Sequence, residues 1–131
     1  MHQGNRSIEG EFVEKVNIAE KFEHVQGYWK PHIVAELNGQ AVKLVRLKDD
    51  FVWHHHEKED EMFLVVRGKL RIEFRENVVS LQEGEFIVVP RGVEHRPVAE
   101  EEAQVLLFEP VSTVNTGNVR DKRTVDKLDR I

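Results

Sequence analysis

Hydrophobic residues recur at every second position along most of the chain from residue 31 onward, which is the period of half-buried β-strands. The clearest case is KLRIEFR, where Leu70, Ile72 and Phe74 alternate with charged residues. The other runs of this kind are PHIVAEL, AVKLVRL, FVWHHH, EMFLVV, VVSL, EFIVV, EHRPV and AQVLLFE. About nine short strands separated by turn residues predict an all-β sandwich or barrel. No connection has room for a crossover helix, so we expect antiparallel pairing.

A short helix is predicted before the strands begin. Asn17 has the position of an N-cap in a capping box. Ile18, Phe22 and Val25 then fall on one helical face, and Gly27 can end the helix.

The pattern divides the chain into three parts. Residues 1–27 are expected to form an N-terminal arm, loose over residues 1–10, and the short helix. Residues 28–110 form the barrel, and residues 111–131 form a polar C-terminal extension. Composition favours a solvated tail for this extension. Its stretch VNTG is also compatible with a turn near the functional site or with a dimer contact.

Three predicted strands, at residues 62–66, 86–89 and 105–108, are apolar on both faces. A strand of this kind needs cover on both faces. One face can fill the barrel, and the other must meet the N-terminal helix or a second subunit. One short helix cannot cover all three strands, so we expect a homodimer.

Composition excludes several classes of function. The 131 residues contain 40% hydrophobic and 33% charged residues, which suits one folded domain. A net charge of −5 argues against nucleic-acid or anionic-membrane partners. The absence of cysteine excludes disulfides and thiolate metal ligands. No run suits a membrane span or a signal peptide, so we expect a soluble cytoplasmic protein.

Candidate chemistry lies in a run of three histidines. If residues 52–56 form a strand, His54 and His56 point to one face and His55 to the other. A hairpin through the following charged loop would return Glu61 to the same place. His95, which follows the turn Pro-Arg-Gly, is the fourth candidate.

Three imidazoles and one carboxylate predict one divalent transition metal per chain: Fe, Mn, Zn or Ni. Four protein ligands would leave two positions of a six-coordinate ion for water or substrate. We therefore expect a small polar or anionic ligand. Residues that could line its pocket are Lys30, His32, Lys43 and Arg46, and strand parity does not decide among them.

Two spaced motifs connect these residues to a known family. The first is His54-x-His56-x(4)-Glu61-x(6)-Gly68, and the second is Gly84-x(5)-Pro90-x-Gly92-x(2)-His95. Together they resemble the two motifs of the cupin superfamily, and the chain is similar to small single-domain bacterial cupins of the cupin_2 type. The resemblance implies an antiparallel jelly-roll barrel with a metal held by His54, His56, Glu61 and His95. Lys48 and Ala99 depart from the motifs, but neither is a ligand position.

The resemblance leaves the activity open. A metal-dependent enzyme, either a dioxygenase or an isomerase acting on a sugar or keto acid, is the first hypothesis. A non-catalytic module that senses or binds a metal or metabolite is the second, and a structural barrel is the third. No catalytic residue is assigned from the sequence.

Overall fold

The computed structural model describes residues 13–131, so the loose arm expected over residues 1–10 lies outside the described residues. Within that range the chain forms one short helix and eight strands. They are α1 (Ile18–Phe22), β1 (His32–Leu37), β2 (Gln40–Asp50), β3 (Glu61–Arg67), β4 (Leu70–Phe74), β5 (Val78–Leu81), β6 (Phe86–Val89), β7 (His95–Pro110) and β8 (Asp129–Arg130). The fold is the predicted all-β jelly-roll barrel.

The longest strand, β7, is the centre of the sheet. It pairs with β2 from Val98, opposite Asp50, to Pro110, opposite Gln40. On its other side β7 pairs first with β4 and then with β3. These pairings are antiparallel, as predicted. In the described part of the chain the exception is the two-residue strand β8, which runs parallel to β1.

The prediction of two separate strands, EHRPV and AQVLLFE, was wrong, because β7 runs through both. The glutamates between them, at residues 100–102, are exposed and interrupt the alternation. The structure accommodates them by a register shift: Leu47 pairs with Ala103, and Asp49 pairs with Ala99. A bulge of this kind bends a strand without ending it. The strand can therefore continue from one side of the barrel to the other.

The prediction of a strand over residues 52–56 was also wrong. These residues belong to a loop, residues 51–60, which we call the histidine loop. Among the described residues its β-type pairing is limited to an isolated bridge between His54 and His95. One bridge is enough to maintain the alternation, since His54 and His56 are buried and His55 is partly exposed.

The helix α1 begins where the sequence predicts and ends earlier. The Asn17 side chain accepts a hydrogen bond of 3.0 Å from the backbone N–H three residues later. The helix ends at Phe22, before Gly27, yet Val25 still packs with Phe22 against Leu44 on the outer face of β2. Within residues 13–131 no helix has the length and apolarity needed to cross a membrane.

The core lies inside the barrel and is built from the alternating positions of the strands. Its buried members include Val45, Leu47, Phe63, Val65, Leu70, Ile72, Val105 and Leu107. Each such side chain contributes about 1.5–3 kcal/mol by leaving water. The polar residues of the candidate site that lie on strands occupy the same inward-facing positions, at one end of the barrel.

Residues 111–131, for which a solvated tail was favoured, instead pack against the barrel. Thr116 is completely buried. The Asn115 side chain donates to the Trp29 carbonyl at 3.2 Å and accepts from the Val125 N–H at 2.9 Å. Small polar side chains hold this C-terminal segment through hydrogen bonds. That is why hydrophobic patterning does not reveal its position.

Candidate metal centre

Three elements bring the four predicted ligands together. Glu61 begins β3, His95 begins β7, and the other two histidines lie on the histidine loop. His54 and His95 exchange two backbone hydrogen bonds of 3.0 and 2.9 Å. The N–H of Gly92, a residue with a φ of 82°, donates to the His56 carbonyl at 2.7 Å. The glycine turn before β7 therefore fixes the loop as well as His95.

The four side chains converge on one buried point. Their donor atoms all lie within 4.8 Å of one another. Glu61 Oε1 lies 3.3 Å from His56 Nε2 and 3.4 Å from His95 Nε2. Within residues 13–131 none of these three atoms has a hydrogen-bond partner. Buried polar atoms without partners are rare and cost about 1–3 kcal/mol each, so the arrangement suits a bound cation.

Backbone carbonyls orient two of the imidazole rings. His54 Nδ1 lies 3.0 Å from the Val52 carbonyl, and His95 Nδ1 lies 2.9 Å from the Val93 carbonyl. A carbonyl only accepts, so each Nδ1 carries the proton and donates. The lone pair of each ring is then on Nε2. This is the usual way in which proteins orient a metal-binding histidine.

The charge states of two candidate ligands also favour a cation. Burial is the main cause that lowers the pKa of His54 to about 4, and the neighbouring His95 is the second cause. Burial alone would raise the pKa of Glu61, but the facing imidazole of His56 holds it well below its ordinary value. At neutral pH the site therefore presents a neutral imidazole and a carboxylate, the forms that ligate metals.

Lowering the pH is expected to destabilise the metal-free protein through His54. Its pKa is about 4 in the folded protein against an ordinary value of 6.5. Between these values the unfolded chain binds a proton that the folded protein does not, so stability falls as the pH falls. The full difference is about 3 kcal/mol. Denaturant unfolding in the presence of EDTA, at several pH values from 7 to 4, measures it.

The matched variants for this measurement are His54→Gln and His55→Gln. His54→Gln should flatten the dependence of the unfolding free energy on pH, since it removes the titrating group. His55→Gln should leave the slope unchanged. An unchanged slope in His54→Gln would show that this histidine is not held neutral by its surroundings.

A buried ion pair lies beside the four candidate ligands. Lys43 Nζ is 2.8 Å from Glu109 Oε2, and the two side chains are 1% and 2% exposed. Burial is the main cause that raises the pKa of Glu109 well above its ordinary value, and the neighbouring Glu61 is the second. Lys43 opposes this shift. Sequence reasoning missed Glu109. Its parity with Val105 and Leu107 on the inward face of β7 was the signal that could have found it.

The structure also places the residues that parity could not assign. Lys43 faces the barrel interior, whereas Arg46 faces outward and donates to the Phe22 carbonyl at 2.6 Å. Lys30 is exposed, and His32 is buried at the start of β1 with its Nδ1 2.7 Å from the Lys30 carbonyl. Of the four, only Lys43 lies next to the candidate site.

A small cavity adjoins His54 and Glu61. Its volume is about 30 Å³, and most of its wall is apolar, including Trp29, Phe51 and Phe63. Trp29 stacks on Phe51 with ring centroids 4.5 Å apart and helps to close this end of the barrel. The volume suits one or two water molecules.

His55 does not join the cluster. Its ring faces the surface, where Nε2 lies 3.2 Å from the exposed Glu57 carboxylate. The structure thus separates His55 from the histidines on either side of it.

Comparison with known proteins identifies the family. The cupin domain family model matches residues 43–110. The chain is 43% identical to a cupin-2 domain containing protein from Shewanella frigidimarina NCIMB 400, with 72% of this chain and 93% of that chain covered and a TM-score of 0.71. It is 32% identical to NMB1881 from Neisseria meningitidis, with 74% and 99% covered and a TM-score of 0.69.

A curated relative is YdbB from Bacillus subtilis (strain 168), which is 33% identical over 64 residues. That match covers 48% of this chain and 57% of YdbB, so it spans little more than half of the relative. The family match includes both sequence motifs and all four candidate ligands. The chain belongs to the cupin domain family.

Proposed function

We propose that this cupin binds one divalent transition metal through His54, His56, Glu61 and His95 and is an enzyme acting on a small polar or anionic molecule. The observation that carries the proposal is the buried cluster of donor atoms, three of which lack a hydrogen-bond partner among the described residues. A cation would satisfy all of them at once.

The donor set fits a first-row transition metal. Three imidazole nitrogens and one carboxylate oxygen suit Fe, Mn, Zn or Ni, and thiolates are absent from the sequence. With neutral imidazoles the carboxylate offsets one of the two charges of the ion. The remaining positive charge favours an anionic or oxygen-rich ligand, such as a keto acid, an enediol or a sugar derivative.

A metal at this position would supply Lewis-acid or redox chemistry. The residues of the chain prepare the site for it. The Val52 and Val93 carbonyls fix the His54 and His95 rings, and aromatic side chains line the adjoining cavity. Because the donor set serves redox and non-redox metals alike, a dioxygenase and an isomerase-like enzyme are both compatible with it.

The cavity favours a second candidate function, a non-catalytic module that binds or senses a metal or metabolite. A volume of about 30 Å³ admits a small coordinating group and excludes most of a larger substrate.

Cobalt substitution separates an accessible centre from a closed one. We expect one metal ion per chain and an optical spectrum of the Co²⁺ protein that changes when simple carboxylates are added. Such a change shows that the coordination sphere has exchangeable positions. A spectrum that responds to no carboxylate and to no change of pH would leave a purely structural metal, and the enzyme proposal would be dropped.

The outer face of the barrel leads us to propose a homodimer. Phe86 and Val88 on the outer face of β6 are 60% and 51% exposed. They pair across the sheet with Leu64 and Met62, which extends the apolar surface inward from the β6 edge. Light scattering after gel filtration should give about twice the chain mass of 15.3 kDa. The double variant Phe86→Lys/Val88→Lys should give a monomer.

The control for this experiment is Val78→Lys, since Val78 is 53% exposed on β5, which pairs with β4, whereas β6 pairs with β3. It should leave the mass unchanged. A wild-type mass near that of one chain at tens of micromolar would contradict the proposed dimer.

A further inference from the structure

The C-terminal segment reaches the histidine loop from outside the region that matches the family, which ends at residue 110. The backbone N–H of Asn118 donates to the His55 carbonyl at 3.0 Å. The Asn118 side-chain Oδ1 accepts from the His55 N–H at 2.9 Å. One residue of the segment therefore satisfies both backbone groups of His55, the residue between two candidate ligands.

These two hydrogen bonds take the place of those that a neighbouring β-strand would make to His55. On its other edge the loop is held by the two backbone bonds between His54 and His95. A strand in this position would normally have a neighbour on the outer edge as well, to pair the groups of His55. Asn118 makes both of those bonds, one with its backbone and one with its side chain.

The adjacent residue is constrained by the closeness of this contact. A Cβ atom on Gly117 would lie 2.2 Å from the His55 carbonyl oxygen and 3.1 Å from His54 Cδ2. Gly117 also has a φ of 58°. A side chain at this position would collide with the backbone of His55 and the ring of His54 in the histidine loop.

The same segment contacts the ion pair beside the ligands. Lys43 Nζ lies 3.4 Å from the Thr113 carbonyl. Thr113 is 5% exposed, and its Oγ1 has no hydrogen-bond partner among residues 13–131. The segment therefore meets both the histidine loop and the polar group around Lys43.

We propose that residues 113–118 complete the metal centre, with Gly117 and Asn118 as positioning residues that hold His54 and His56 in the ligating arrangement. The inference rests on the proposed metal site and adds residues that lie outside the family motifs. Asn118 is exposed, so its side chain can be changed without disturbing the core.

The test is a Co²⁺ titration of full-length variants. Asn118→Leu removes the acceptor for the His55 N–H and should weaken Co²⁺ binding by about 10–100-fold, the usual effect of losing a group that orients a ligand. Asn118→Asp keeps an acceptor oxygen and should restore most of the affinity. Both variants should unfold within a few degrees of the wild type when metal-free.

Gly117→Ala and Gly39→Ala form a second matched pair. Both glycines have positive φ, but a Cβ on Gly39 meets nothing within 4 Å. Both substitutions should lower the unfolding temperature, and only Gly117→Ala should also weaken Co²⁺ binding. If Gly117→Ala does not fold, the Asn118 variants decide.

Amide hydrogen exchange of the His55 N–H in metal-free protein gives a readout that does not depend on metal. Asn118→Leu should accelerate this exchange, and Asn118→Asp should not. Wild-type protein that binds no Co²⁺ would overturn the proposed function. If Asn118→Leu and Gly117→Ala bind Co²⁺ as tightly as the wild type does, this inference alone is overturned.

Discussion

Replacing His95 or His56 with alanine is expected to weaken metal binding by about 100-fold or more. Loss of a group that merely orients a ligand already lowers affinity by about 10–100-fold, so loss of a ligand should exceed that range. Both side chains contribute an Nε2 atom that lies within 3.4 Å of Glu61 Oε1 and lacks a hydrogen-bond partner in the described structure. Competition titration against a chromophoric chelator measures the affinity.

His55→Ala is the internal control for this prediction. His55 neighbours both candidate ligands of the loop in sequence, but its ring faces the surface. Its removal should leave the affinity within a few-fold of the wild type. If His55→Ala lost the metal and His56→Ala retained it, the loop would be out of register by one residue and the proposed ligand set would be wrong.

Replacing Lys43 with methionine is expected to destabilise the metal-free protein by about 1–3 kcal/mol, because it leaves the buried Glu109 carboxyl without its hydrogen-bonding partner. Lys43 and Glu109 are almost completely enclosed, and their charged atoms are 2.8 Å apart. For a domain of this size the loss corresponds to roughly 4–12 °C in unfolding temperature. Thermal unfolding at pH 7 in the presence of EDTA measures it.

The double variant Lys43→Met/Glu109→Leu distinguishes a lost ion pair from lost packing. Removing both charges of a buried pair is often neutral, so the double variant should recover most of the stability. A double variant no more stable than Lys43→Met would assign the loss to packing.

The barrel and the site follow from sequence wherever alternation and turn chemistry agree. Inward parity in β3 placed Glu61 with Phe63 and Val65, and all three are buried in the structure. The capping residue of α1 is also where the sequence predicts it. These features are local, and a spacing of two or three residues is sufficient to detect them.

Other features depend on contacts that spacing does not express. The continuity of β7 rests on a bulge opposite β2, and the histidine loop is held by its bridge to His95 and by hydrogen bonds from Gly92 and Asn118. The C-terminal segment is held by polar groups such as those of Asn115 and Asn118, which have no hydrophobic period. Sequence reasoning therefore found the four candidate ligands and missed the residues that support them.

The most direct test of the proposed metal centre is anomalous diffraction from crystals of the metal-loaded protein, collected on either side of the absorption edge. We predict one strong anomalous peak per chain in contact with His54, His56, Glu61 and His95, at ordinary ligand distances of about 2.0–2.2 Å. A metal bound only at surface residues such as His55 and Glu57, with these four side chains free of metal, would contradict the account.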